Sequence, residues 1–392
     1  MYINTLDFLF DHSKSYSYDN KLQMQESCIM KKRFLVAAMA ATLVSPLAAQ
    51  ADATVYGNVH LSLDTPSYEN NEIDSAGDPV VLNDNMRMNS NTSAIGVKGK
   101  EDLGGGMSAI FKVEFQVDPS ERNNANNNSA PALLDRDQWV GLKGAMGTIK
   151  FGTMSNNYKQ MGGKIDPMYR TRLEGRGMMN TQSQLHSGAG ENGGRSTNTL
   201  QYSSPKMGGM QMVFNYTISG RDDETMGLGL RYKTKAILAY VDYLDVQGGS
   251  GNTTVPSTPA GSSEAAFKVG GSFKTGGMTF GLQYESVESA ICAINNCNGS
   301  APGDTIFASF NMKVSDAGYV AVTLGDNGMA DMGYALMYNH KLSKRTNTYI
   351  GYGDNASNSG PSYTAGGATV VNADAGNDRD QQLMTLGIRH KF

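Results

Sequence analysis

The last ten residues, Leu383 to Phe392, constrain this chain more than any other stretch. Met384, Leu386, Ile388, His390 and Phe392 fall on one face of an extended strand, and Leu383, Thr385, Gly387, Arg389 and Lys391 on the other. Period-two alternation of this kind belongs to a strand lying between an apolar and a polar environment. Termini of soluble domains fray in water. A half-apolar strand that runs to a terminal Phe is suited instead to closing a membrane barrel. The tail therefore predicts a bacterial outer-membrane β-barrel whose final strand it supplies.

The other end of the chain carries export chemistry. Met30-Lys31-Lys32-Arg33 is a basic n-region, Phe34 to Pro46 a short apolar h-region, and Ala49-Gln50-Ala51 a small-residue cleavage site. The predicted signal peptide is 30–51, with cleavage near Ala51. Residues 1–29 lack signal character and are expected to be an upstream extension from a mis-chosen start codon. Taking 51 from 392 residues leaves 341 for the barrel, 52–392.

Within 52–392 the recurring unit is a strand of about ten residues followed by a turn. Strands are expected at 54–63, 91–100, 107–117, 135–144, 148–154, 196–204, 210–219, 225–233, 235–244, 265–274, 278–286, 304–313, 317–325, 331–341, 345–353 and 380–392. These make sixteen, all antiparallel. The connections alternate between tight turns, such as Asp102 to Gly106, and long loops, such as 155–195. Short periplasmic turns opposite long extracellular loops are the asymmetry of outer-membrane barrels. Closure leaves no unpaired backbone edge in lipid.

Composition narrows the function classes. A mean hydropathy of −0.39 fits a barrel, because every second residue faces water. The five Lys/Arg and four Asp/Glu of residues 1–51, once removed, take the formal charge from −4 to −5, which argues against nucleic acid as a partner. Two cysteines remain, Cys292 and Cys297, in a Gly/Asn/Ser-rich loop. Export makes a local disulfide between them the expectation, since further Cys or His for a metal site are absent nearby. His60 and Ser62 share a strand face, as a nucleophile and its base would, but no third orienting group is identifiable. No catalysis, metal or cofactor is expected.

Several stretches, in order and spacing, resemble the general porins of Gram-negative outer membranes, the trimeric sixteen-stranded family. They are Thr54 to Val59, Ser93 to Gly106, Asp135 to Gly144, Gly147 to Gly152, Tyr202 to Pro205 and Gly387 to Phe392. The resemblance implies an outer-membrane channel passing small hydrophilic solutes and ions by passive diffusion. It also implies a homotrimer, contact with outer-membrane lipid and lipopolysaccharide, and handling by the barrel assembly machinery, with Phe392 as an assembly signal. The alternatives are a substrate-selective channel for phosphate or organic acids, or a surface adhesin or receptor barrel.

The resemblance further implies that the third long loop, about 155–195, folds into the lumen. There its acidic residues, here Asp166 and Glu174, face arginines on the wall. Arg136 and Arg195 occupy two of the family's wall positions, while Ala94 and Thr153 stand where arginines are expected. Lys98 and Lys112 face the lumen by parity and compensate in part. Arg231, Lys268 and Lys274 are also luminal by parity, against Glu114, Asp242 and Glu285. The expected consequence is a weak anion preference. The Asn-rich stretch Asn123 to Asn128 is expected to be a solvated loop.

Overall fold

The structure, a computed structural model, describes residues 52–68, 85–120, 133–175, 195–218, 225–247, 263–287, 304–326, 332–354, 363–365, 368–370 and 381–392. Strands follow one another with little else between them: β1 (Asp52–Tyr68), β2 (Arg87–Ser90), β3 (Ala94–Gly104), β4 (Met107–Gln116), β5 (Leu134–Gly144) and β6 (Gly147–Ser155). One helix, α1 (Asn157–Gly162), comes next. Then come β7 (Arg195–Ser203), β8 (Met210–Thr217), β9 (Thr225–Lys233), β10 (Ile237–Gln247), β11 (Ser263–Thr275), β12 (Met278–Val287) and β13 (Asp304–Lys313). The wall ends with β14 (Gly318–Asp326), β15 (Gly333–Lys341), β16 (Thr346–Asp354) and β19 (Gln381–Lys391); between the last two lies a separate hairpin, β17 (Tyr363–Ala365) and β18 (Ala368–Val370).

Each wall strand pairs antiparallel with its sequence neighbours, and β19 returns to β1 with Asn58 opposite Lys391 and Leu61 opposite Ile388. The wall is therefore a closed sixteen-stranded barrel. β2 and β3 count once, because they pair with successive halves of β1 and are parted only at Asn91–Ser93. Thr92, at φ 57°, makes that break. The sixteen expected strands coincide with these sixteen positions. At the tight turn after β3, Gly104, Gly105 and Gly106 all have positive φ, which only glycine adopts without strain.

Period two decides what each face touches. Val55, Val59 and Leu63 on β1, Met226, Leu228 and Leu230 on β9, and Met384, Leu386 and Ile388 on β19 all point outward and are exposed. This apolar belt is the surface a hydrocarbon solvent requires. The alternate residues point inward, where His60, Asp64, Asp242, Lys268, Glu285 and Thr385 are almost wholly buried. Polar groups so buried must be paired. Among the partners are Ser62 Oγ and Thr385 Oγ1, which donate to Asp64. Among the described residues no helix is long and apolar enough to cross a membrane.

Candidate functional site

A polar cluster lines the interior on β4, β5 and β7. The ladder slips between Val113, opposite Gln138, and Phe115, opposite Asp135. A bulge of this kind sets two residues against one and re-aims side chains. Here Arg136 and Asp137, neighbours that parity would put on opposite faces, both reach Glu114's surroundings. Arg136 Nε donates to Glu114 Oε1 at 2.6 Å and its Nη1 to Gln116 Oε1 at 3.1 Å. Lys112 Nζ bridges Glu114 at 3.0 Å and Asp137 at 2.8 Å. Arg195 Nε donates to Asp137 Oδ1 at 2.9 Å. Tyr56 OH donates to Glu114 Oε2 at 2.7 Å, and Lys98 Nζ lies 4.9 Å from the Tyr56 ring centroid. Lys150 sits over Trp139 and donates to Gln201. Three cations thus pair with two carboxylates, Glu114 and Asp137, and two more, Lys98 and Lys150, lie against aromatic rings beside them.

A second slip, between Gly152 and Met154, accompanies the approach to Arg195. Gly152 has φ 131°, and a Cβ there would strike the Gln138 carbonyl. The glycine is what lets β5 and β6 lie this close below the cluster.

From β6 the chain turns inward. Asn156 caps α1 by accepting from Lys159 N at 2.9 Å. Asn157 Nδ2 donates to Asp242 Oδ1 at 3.0 Å and to the Tyr243 carbonyl at 3.1 Å. Tyr158 is fully buried beneath the Lys268 ammonium, which also donates to its carbonyl. Arg231 donates to Gln160 Oε1 at 2.8 Å and to the Asn157 carbonyl. The segment then crosses the lumen: Ser309 Oγ donates to the Ile165 carbonyl at 2.6 Å and Tyr319 OH to that of Pro167 at 3.3 Å. Met161, Ile165, Met168 and Leu173 form one apolar cluster with Tyr240, Phe307, Met337, Tyr349 and Leu383 of the inner wall. A Cβ at Gly351 or Gly353 would meet Leu173, so these glycines make its seat.

The expected residues divide between these two places. Lys112, Arg136 and Arg195 come together, and Lys98 joins through Tyr56. Asp166 and Glu174 lie elsewhere, buried in the loop's own turns. Asp166 accepts from Met168 N at 2.8 Å and Gly175 N at 2.9 Å, and Glu174 from Arg170 N at 2.7 Å. Burial, with Lys233, Arg170 and Arg231 nearby, holds the Lys164 amine below the usual lysine range. Ala94 and Thr153 leave room where further arginines were expected. Asp137, Tyr56 and Lys150 were not foreseen. The alternating run Asp135-Arg136-Asp137 is the only trace of the bulge in the sequence. Ser62 donates to Asp64 and His60 Nε2 meets Tyr349 OH at 2.9 Å, so these two side chains are engaged with other partners. Cys292, Cys297, Asn123–Asn128 and the segment 30–51 lie outside the described residues.

Comparison with known proteins gives a consistent picture. A family model described as Gram-negative porin matches residues 36–361. The major outer membrane protein P.IB of Neisseria lactamica is 24% identical over 375 residues, covering 93% of this chain and 100% of that protein. An outer membrane porin protein of Bordetella pertussis is 25% identical over 439 residues, with 93% and 100% covered. Among solved structures, the anion-selective porin from Comamonas acidovorans has a TM-score of 0.63 at 21% identity, covering 88% of this chain and 100% of that one. OmpT of Vibrio cholerae, solved in a trimer form, has a TM-score of 0.54 at 15% identity, with 87% and 99% covered.

Proposed function

The chain belongs to the Gram-negative porin family and is an outer-membrane channel, and from that premise we propose that its constriction passes small hydrophilic solutes with a weak preference for anions. One observation carries the preference: Lys98, Lys112, Arg136, Lys150 and Arg195 gather about only two carboxylates. A permeating ion responds to charge within about a Debye length, ~8–10 Å at ordinary salt, so this lining outweighs acidic residues on distant loops. Asp166 and Glu174 accept from backbone N–H groups of the loop and make none of the contacts described for that lining. The preference stays weak because Glu114 and Asp137 each neutralise a neighbour. Single channels in a salt gradient test the reading. Changing Arg136 and Arg195 together to Gln should move the reversal potential toward cations. A wild-type channel that is already strongly cation-selective would overturn it.

Two finer readings accompany this one. The relatives are channels rather than enzymes, and the engagement of Ser62 with Asp64 supports the absence of catalysis here. A homotrimer is supported by the outward pair Val55 and Val59 on β1, apolar, exposed and small enough for close subunit packing.

A further inference from the structure

Beneath the loop, toward the short-turn end of the barrel, lies a second, partly open space, lined by strands other than β4, β5 and β7. It is a cavity of about 720 Å³, roofed by Pro167, Tyr169 and Thr171 and floored by the turns after β13 and β15. A volume of this size suits one small organic molecule. Its lining is strongly asymmetric in charge. Lys341, Lys344, Arg345, Arg389 and Lys391 face it, against one carboxylate, Asp316. That carboxylate is already held by Lys313 at 2.7 Å. None of the five cations has a carboxylate partner among the described residues.

Two further features point to a ligand rather than to a solvated rim. Arg389 Nε is buried with no hydrogen-bond partner among the described residues. A buried guanidinium donor left unpaired is costly, and its fork geometry matches a carboxylate. The walls beside the cations carry aromatic surface from Tyr169 and Tyr319. Tyr319 OH is occupied by the Pro167 carbonyl, so this residue offers ring surface more than a further hydroxyl contact.

We propose that this vestibule is an anion-binding subsite, separate from the constriction, for small organic dianions with a flat apolar body. Arg389 and Lys341 hold one acidic group and Lys344 and Arg345 the other, with the tyrosines against the body. The inference rests on the chain forming an open channel, which the current before any ligand is added reports separately.

The experiment records single-channel current in planar bilayers with isophthalate added on the short-turn side. Brief, concentration-dependent interruptions are expected. Arg389→Gln should raise the half-blocking concentration about tenfold, the scale for losing a charge-assisted pair of contacts. Since Arg389 lies in the closing strand, Lys344→Gln with Arg345→Gln, placed in a turn, should weaken block in the same direction without touching the wall. Arg136→Gln with Arg195→Gln should leave block intact. Block that survives both vestibule variants, or that vanishes with the constriction variant, would overturn the assignment. Lipid phosphate is the other source of such a group. Equal block in zwitterionic and anionic bilayers is expected, and loss of block in anionic bilayers would assign the site to a lipid headgroup instead.

Discussion

Charge in the polar cluster on β4, β5 and β7 is set by single side chains and by where one bulge sends them. Asp137 is the shared acceptor of Lys112 and Arg195, and Glu114 that of Lys112, Arg136 and Tyr56. Asp137→Asn keeps the shape and removes one of only two negative charges. It should shift the reversal potential further toward anions, the opposite direction to the double arginine change. Arg195 would lose this carboxylate and Lys112 one of its two, so the folded barrel should also lose about 1–3 kcal/mol, read as an earlier heat-induced shift on a gel. An unmoved potential would mean that Asp137 lies outside the field felt by the ion. No periodicity in the sequence reveals this residue. Strict alternation from Arg136 sends Asp137 into lipid, and only the slip opposite Glu114 brings it inside.

At the scale of elements, the strand positions were legible because lipid outside and water inside impose period two on every crossing. The path of the loop was not. Asp166 and Glu174 carry the composition of constriction acids, yet their carboxylates accept from backbone N–H groups of the loop itself, and no spacing announces that choice. Beside its polar contacts with the wall, the loop has an apolar anchor. Leu173 is fully buried in its seat against Gly351 and Gly353. Leu173→Ala should cost about 2–5 kcal/mol, the range for such a truncation, and should make open-channel current noisier; quiet current at unchanged stability would remove Leu173 from the anchor. The closing strand makes a separate claim. Phe392 exchanges backbone hydrogen bonds with Gly57 at 3.1 and 3.2 Å, and its ring covers that glycine. Deleting Phe392 should lower the yield of folded, heat-modifiable protein; an undiminished yield would show that the pair at Gly57 is dispensable.

The barrel is a closed ring of strands whose outer surface must be satisfied by lipid or by another copy. Val55, Val59 and Leu63 leave an exposed apolar row on β1, flanked by Ile95 and Val97 on β3. Native mass measurement in mild detergent should give three copies, and a monomer with full channel activity would refute the assembly. The inner side of the ring has its own requirement. The loop reaches both strands that meet at the seam: Arg172 lies 4.0 Å from Asp64 on β1, and Leu173 belongs to the same cluster as Leu383 on β19. Those two strands come from opposite ends of the wall, and the loop touches both from within. Seating the loop and fastening the seam therefore stabilise one another, as a key across a split ring keeps both its ends from parting.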